Sequence, residues 1–419
     1  MTDGAQLDNA SWLKEGEIAR LLALLDRDGE EARVVGGAVR NALMGLPVGE
    51  IDVATTAVPQ EVERRLEAAG FKAKPTGIEH GTVTAIIDGQ PFEVTTLRQD
   101  VETFGRKAKV VFGRDWKADA QRRDFTINAM SVSADGEIHD YVGGLADIAA
   151  HRVRFIGEPK ERIAEDYLRI LRFFRFHACY GNGVPDAAGL RACIAARSGL
   201  DALSRERVRA ELLKLLLAPH ATPTLAVMAE AGILGTVLGG VPLLASFENM
   251  AKVEAAIGTA PDSARRLGAL GVYVMEDAER LSQRLRLSNA EFERLMALEY
   301  WWRVRPAAGA HAARVLLYQL GPASFTDRVL VAWSRSDAGA ADRDWHELAT
   351  LPQRWIAPRF PLKAADFLSR GVPKGPAMGA ALRAAEQAWI DTDFPEDRAA
   401  IDAIADCAAR QTPATTLRL

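Results

Sequence analysis

From residue 30 to 156 short runs of β-branched and apolar residues mix with helical segments, whereas beyond residue 158 apolar positions recur every three or four places. The runs ARVVGG (32–37), GEIDVAT (49–55), TVTAIID (82–88), PFEVTTL (91–97) and HRVRFIG (151–157) are rich in β-branched and aromatic residues and predict strands. Between them, Ala38 to Leu43 and Pro59 to Ala69 read as helices. In IIDGQPFEV an Asp-Gly pair separates two alternating runs, which predicts a hairpin with Glu93 on its second strand. The stretch Arg98 to Lys117 is polar and basic without regular period, and is expected to be a mobile loop. Helical period returns in IAEDYLRILRFFRFHACY and RERVRAELLKLLLA, and Gly- and Pro-rich breaks at GNGVPDAAG, GGVP, RPAAGAHA and SDAGAAD cut the remainder into helical blocks. The expected class is α+β, an α/β head followed by an all-α remainder.

Composition narrows the class without changing that picture. At 419 residues, and about 150 residues per domain, two to four units are expected. With 48% hydrophobic and 26% charged residues the chain is globular, and it holds no apolar run long enough to span a membrane. Its start, MTDGAQLDNASWLKEG, lacks the basic and apolar regions of a signal peptide, so the expected compartment is the cytoplasm. A formal net charge of −4 argues against nonspecific coating of nucleic acid and leaves room for a local basic groove. Cys179, Cys193 and Cys407 show no metal-ligand spacing and read as reduced thiols.

The densest chemistry lies between residues 36 and 52. A strand ending at Val35 delivers Gly36 and Gly37 to the first turn of a helix, where unpaired N–H groups favour an anion such as a triphosphate. Glu50 and Asp52 follow two residues apart in a segment of strand character, which aims both carboxylates to one side, toward a shared cation. Glu93, on the neighbouring strand, is the candidate third carboxylate. A phosphate cradle beside paired carboxylates is the equipment of nucleotidyl transfer. A dinucleotide-binding module fits less well, because Gly36-Gly37 lacks the G-x-G-x-x-G spacing.

Five ordered motifs carry a resemblance: GGAVRNALMGLPVGEIDVATTA, FEVTTLR, RRDFTINAM with HDYVGGLADI, RIAEDYLRILRFFRF, and LSRERVRAELLKLL. Together they resemble the class II tRNA nucleotidyltransferase and poly(A) polymerase family, by motif from about residue 30 to 217. The resemblance implies a nucleotidyltransferase head with a small mixed or antiparallel sheet (1–156), a helical neck with a nucleobase-selecting helix (157–220), a helical body (221–330) and a helical tail contacting tRNA (331–419). It further implies Mg²⁺ as cofactor, held by Glu50 and Asp52, and the 3′ end of an RNA as acceptor. Neither a membrane nor an obligatory protein partner is implied. Contact with the bound nucleotide is implied for Gly36, Gly37, Arg40, Arg122, Arg123, Asp124, Asn128 and Arg172. Relatives usually carry Asp at the positions of Glu50 and Asn41; the first departure keeps a ligating oxygen on a longer arm, and the second removes a charge.

Glu165-Asp166-Tyr167-Leu168-Arg169 resembles the family's EDxxR motif, which implies that nucleobase choice falls to Asp166 and Arg169, three apart and therefore expected on one helix face. A carboxylate accepting from an exocyclic amino group and a guanidinium donating to a ring nitrogen would select cytosine and adenine over uracil and guanine. The segment 98–117 resembles the family's flexible element, tied to the switch from CTP to ATP, with Phe104-Gly105-Arg106 where relatives often read DGR. His139-Asp140 sits in an expected turn region, and the seven histidines show no further ligand spacing. Lys374 and Gly375, before a helix containing Gly379, Glu386 and Trp389, resemble the tRNA-contacting tail. Addition of C, C and A to tRNA from CTP and ATP is the expected activity. A poly(A) polymerase, a CC- or A-specific enzyme, and an RNA-binding protein without catalysis stay open beside it.

Overall fold

The structure, a computed structural model, describes residues 5–7, 10–77, 81–104 and 107–411. It divides into two units, one of residues 1–244 with 280–287 and one of residues 245–279 with 288–419.

The first unit is built on a seven-stranded mixed sheet of order β3-β4-β5-β2-β1-β8-β9. Its strands are β1 (Ala32–Val35), β2 (Asp52–Thr55), β3 (Lys72–Gly77), β4 (Thr82–Ile87), β5 (Gln90–Thr96), β8 (Ser131–Val132) and β9 (Ile138–His139). A separate two-stranded sheet pairs β6 (Arg98–Phe104) with β7 (Lys107–Phe112). Only β2 and β5 run parallel; the other adjacent pairs are antiparallel. The expected hairpin is β4–β5, and both turn residues, Asp88 and Gly89, have positive φ, the geometry that Asp-Gly favours.

Period-two alternation splits the sheet into two faces. Val34, Val53, Val83, Ala85, Phe92, Val94 and Val132 join one buried core. Against it packs helix α2 (Gly16–Leu25) through Ile18, Leu21, Leu22 and Leu25, together with α4 (Pro59–Ala68) through Val62 and Leu66. Arg65 of α4, 2% exposed, donates from Nη1 to the carbonyls of Leu25 and Arg27 at 2.9 and 3.1 Å, capping the C-terminal end of α2. The opposite face carries Val35, Ala54, Leu97 and Trp116 in a smaller cluster, and beyond it the sheet is open.

Three expectations change here. Residues 151–157 form no strand but a single bridge, Phe125 to Phe155. Their backbone pairs with 124–126 through Thr126 N–H to Arg154 and Ile156 N–H to Asp124, and pairing stops where Thr126–Asn128 curls into a 3₁₀ turn. Most of the stretch Arg98 to Lys117 is no irregular loop: backbone pairing, which its polar composition conceals, makes Arg98–Phe104 and Lys107–Phe112 the β6–β7 ribbon, and a helix begins at Trp116. Gly105 and Arg106 lie outside the described residues. Finally, β3 was not expected, because KAKPTG holds two lysines and a proline; as a sheet-edge strand it tolerates both.

Beyond β9 every described element is helical, as the periodicity predicts. Helix α8 (Leu168–Tyr180) joins the sheet domain through Phe125, Phe155, Phe173 and Phe176, whose rings lie 4.9 to 6.3 Å apart. Within the second unit, Glu254 is 1% exposed and accepts from Nε of both Arg265 and Arg266 at 2.8 Å. The helix Gly309–Ser334 of that unit is broken at Gly321-Pro322. Among the described residues no helix is long and apolar enough to cross a membrane.

Candidate active site

Register places two carboxylates side by side. Asp52, the first residue of β2, pairs with Glu93 of β5 across the parallel ladder, so both side chains leave the sheet on the open face, opposite the Val53–Val94 pair in the core. Both are exposed. Desolvation by the surrounding protein, then the Glu93 carboxylate and more weakly that of Glu50, push the Asp52 carboxyl above the usual carboxylate range, while Arg123 works against them. Glu50 lies in a bend before β2 rather than in the strand, so the two-residue alternation expected to align it with Asp52 does not reach it. Among the described residues no group of three His, Cys, Asp or Glu side chains is close enough to hold a metal ion.

Beside the acid pair, Gly36 follows β1 with φ of 72° and caps the start of helix α3 (Gly37–Leu43). A Cβ at Gly36 would sit 3.3 Å from Arg123 Nη1, so the absence of a side chain there lets that guanidinium approach the turn. Arg122 and Arg123 are both held by Asp119 of α5 (Trp116–Gln121): Arg122 Nη2 lies 2.6 Å from one carboxylate oxygen and Arg123 Nη2 3.2 Å from the other. Asp119 is 3% exposed and was not singled out from sequence, where an acid three residues before an Arg-Arg pair is unremarkable.

Asp124 turns the other way, toward α8. Its carboxylate accepts from Arg172 Nε and Nη2 at 2.8 and 2.5 Å, from the Phe125 N–H at 2.9 Å and from Asn128 Nδ2 at 3.3 Å. Burial alone would raise its pKa; Arg172 and the two N–H donors outweigh burial and hold it below the usual range. Arg40 is 6% exposed, and its guanidinium is engaged inside the protein, donating to Asn128 Oδ1, to Asn41 Oδ1 and to Tyr180 Oη, and lying 3.9 Å over the Tyr180 ring.

Asp166 and Arg169 do not share one helix face. Helix α7 (Pro159–Glu165) stops at Asp166, which has extended φ and ψ, and its Oδ1 accepts from Leu168 N–H in the first turn of α8. A carboxylate at that break satisfies an N–H that the helix start leaves unpaired, which ends one helix and starts the next. The Asp166 carboxylate is gripped by both Nη atoms of Arg207 at 2.6 and 3.2 Å, whereas Arg169 Nη1 lies 2.5 Å from Glu165 and 2.7 Å from the Arg162 carbonyl. Asp140 is structural, accepting from the N–H groups of Val142, Gly143 and Leu145.

A family model described as the poly A polymerase head domain matches residues 32–154, and one described as the probable RNA and SrmB-binding site of polymerase A matches 188–247. The CCA tRNA nucleotidyltransferase 1, mitochondrial, of Mus musculus is 34% identical over 378 residues, 89% of this chain and 86% of that protein. The CCA-adding enzyme of Limosilactobacillus fermentum is 32% identical over 401 residues, 91% of this chain and 94% of that protein. The chain belongs to the family of class II CCA-adding enzymes and poly(A) polymerases. The fold agrees: a crystal structure of the Bacillus stearothermophilus CCA-adding enzyme in complex with CTP superposes with a TM-score of 0.76 at 28% identity, covering 94% of this chain and 97% of that one.

In this family member the candidate residues from 36 to 172 fall in the first unit, and the structure brings Gly36, Asp52, Glu93 and Arg123 to one place on the open face. Gly37 is the first residue of α3. Lys374 and Gly375 belong to the second unit, where both are exposed and Gly375, with φ of 112°, precedes the helix Pro376–Asp391. Tyr180 and Arg207, which hold Arg40 and Asp166, were not singled out from sequence, because partners 140 and 41 residues away leave no local pattern.

Proposed function

We propose that this enzyme is a CCA-adding tRNA nucleotidyltransferase, transferring CMP, CMP and AMP in turn from CTP and ATP to the 3′ end of tRNA and releasing pyrophosphate each time. The observation that carries the proposal is the in-register pair of Asp52 and Glu93 on the open sheet face, with Arg123 beside it. Similarity to CCA-adding relatives over about nine-tenths of the chain supports it.

Nucleotidyltransferases of this family are metal-dependent. Two neighbouring carboxylates, one with its proton affinity raised by desolvation and then by the other's charge, are a hard oxygen donor set of the kind Mg²⁺ takes, usually one or two carboxylates with phosphate oxygens and water. We assign Asp52 and Glu93 to that ion, with Glu50 reaching from the adjoining bend. When bound, Mg²⁺ would lower the pKa of the primer hydroxyl and offset charge on the α-phosphate and pyrophosphate.

The protein's own groups bind and orient. Arg122 and Arg123, spread by Asp119, offer N–H donors to the triphosphate, and Gly36 with Gly37 lets it approach the backbone of the α3 turn. Asp124, kept ionised by Arg172, is an acceptor for a ribose hydroxyl. Arg40 acts through Asn128 and α3, holding the cradle to α8. Asp166 and Arg169 read the base by exchanging Arg207 and Glu165 for the amino group and ring nitrogen of cytosine or adenine. Residence in the cytoplasm belongs to the proposal; cell fractionation checks it, the mouse relative being named mitochondrial.

Incubation with labelled CTP or ATP and tRNA lacking its terminus, followed by sequencing of the ends, tests the reading. C, C and a single A are expected. Runs of A, C without A, or A only on a preformed CC end would replace the reading with one of its enzymatic rivals. No incorporation and no pyrophosphate release would leave an RNA-binding protein.

A further inference from the structure

Helix α3 ends in a tight motif whose side-chain chemistry requires an amide. Gly45, with φ of 68°, donates its N–H to the Ala42 carbonyl, and Leu46 donates to the Asn41 carbonyl at 2.8 Å, the paired bonds of a Schellman C-cap. The Asn41 side chain adds a third tie. Its Oδ1 accepts from Nε and Nη2 of buried Arg40 at 3.1 and 2.8 Å, and its Nδ2 donates to the Pro47 carbonyl at 3.0 Å. Arg40 can only donate and a carbonyl can only accept, so the orientation of the amide is decided by its two partners. A carboxylate at position 41 could satisfy Arg40 but would set an oxygen lone pair against the Pro47 carbonyl.

Pro47 lies three residues before Glu50, in the connection that delivers Glu50 to the acid pair. Val48 and Ile51 of this connection pack on the core at either side of Glu50, and the Asn41–Pro47 bond ties the start of the same connection to α3. We infer that Asn41 is a positioning residue for the metal site, clamping the 44–50 connection so that the longer Glu50 side chain meets the cation at the distance a shorter acid would otherwise require. Asn41 in α3 and Glu50 in the bend before β2 are then one device. The inference rests on the proposed assignment of Asp52 and Glu93, with Glu50 beside them, to a divalent cation.

Binding of MnCl₂, read as loss of the free-ion EPR signal, tests it in the wild type, Asn41→Asp, Glu50→Gln and the double variant. Asn41→Asp adds a negative charge near the site, which by Coulomb attraction alone would tighten cation binding. The clamp demands the opposite sign: Mn²⁺ affinity falls about tenfold, the scale seen when an outer partner of a metal ligand is lost. In the Glu50→Gln background the same change has less than about a twofold effect, because its target is gone. Tighter or unchanged binding in Asn41→Asp, equal losses in both backgrounds, or a loss that tracks a fall in melting temperature would each overturn the inference. CTP and ATP incorporation by the wild type is scored separately. Coupling of 41 to 50 in a chain that adds no nucleotide would sustain the clamp and sink the activity, whereas normal addition with no coupling would sink the clamp alone.

Discussion

Asp52 sets function against stability at one atom pair. A carboxyl whose pKa is higher folded than unfolded costs stability while it is ionised, and the cost disappears as pH falls through the folded value. Replacing Asp52 by Asn is therefore expected to raise the melting temperature of the metal-free protein at about pH 7, with the gain shrinking as the solution is made acidic and the wild-type group protonates. The same change should lower nucleotide transfer by about 10²-fold or more, since it removes charge that several kcal/mol of transition-state stabilisation depends on. Melting curves in EDTA and initial rates with CTP check the two halves; a variant that loses activity and stability together would place Asp52 among structural residues. The sequence pointed to Asp52 because it follows Glu50 by two residues in a segment of strand character, just after the Gly36-Gly37 turn. It could not rank Glu93 above Glu50 as its closest neighbour, because that ranking comes from parallel register between strands some forty residues apart. Asp119 shows the same limit, since its importance lies in near-total burial, which an exposed-looking helical acid does not announce.

Elements carry the next level of control, and the 3₁₀ turn Thr126–Asn128 is where it concentrates. Thr126, Ile127 and Asn128 are all buried, Thr126 Oγ1 donates to fully buried Asp147 at 2.6 Å, and Asn128 joins Arg40 to Asp124. Gly144, opening α6 (Gly144–Ala149), leaves no room beside it: a Cβ there would lie 2.5 Å from the Thr126 carbonyl oxygen and 3.1 Å from the Met130 side chain. Gly144→Ala is thus expected to cost about 2–3 kcal/mol of stability by urea unfolding, a large overpacking penalty because backbone cannot swing aside. It should also raise the KM for CTP while leaving the KM for tRNA near the wild-type value; the reverse pattern would detach this turn from the nucleotide site. Element identity was legible wherever apolar period was strong, as in β1, β4, β5, α4 and α8. It failed where pairing or a single polar group decided the outcome: at 151–157, whose partner curls away after two bonds, at edge strand β3 with its proline, and at Asp166, whose side chain stops a helix that the periodicity carries straight through.

At the scale of the whole molecule, the candidate nucleotide chemistry belongs to the first unit, and the second is helical throughout its described residues. A chain with a net charge of −4 has no general attraction for RNA, so acceptor binding must come from local cationic points. Lys374 is one such candidate in the second unit, exposed, next to a glycine of positive φ at the start of a sixteen-residue helix with no side-chain cap. If its ammonium neutralises one phosphate of tRNA, Lys374→Ala should weaken tRNA binding and flatten the salt dependence, reducing the slope of log K against log salt by about 0.7 to 0.9. The KM for CTP and the order of C, C and A in the product should not move, because the metal and nucleotide groups lie elsewhere in the chain. Filter binding across a salt series measures the slope, and an unchanged slope with weakened binding would mean that Lys374 supports the fold of the tail and touches no phosphate.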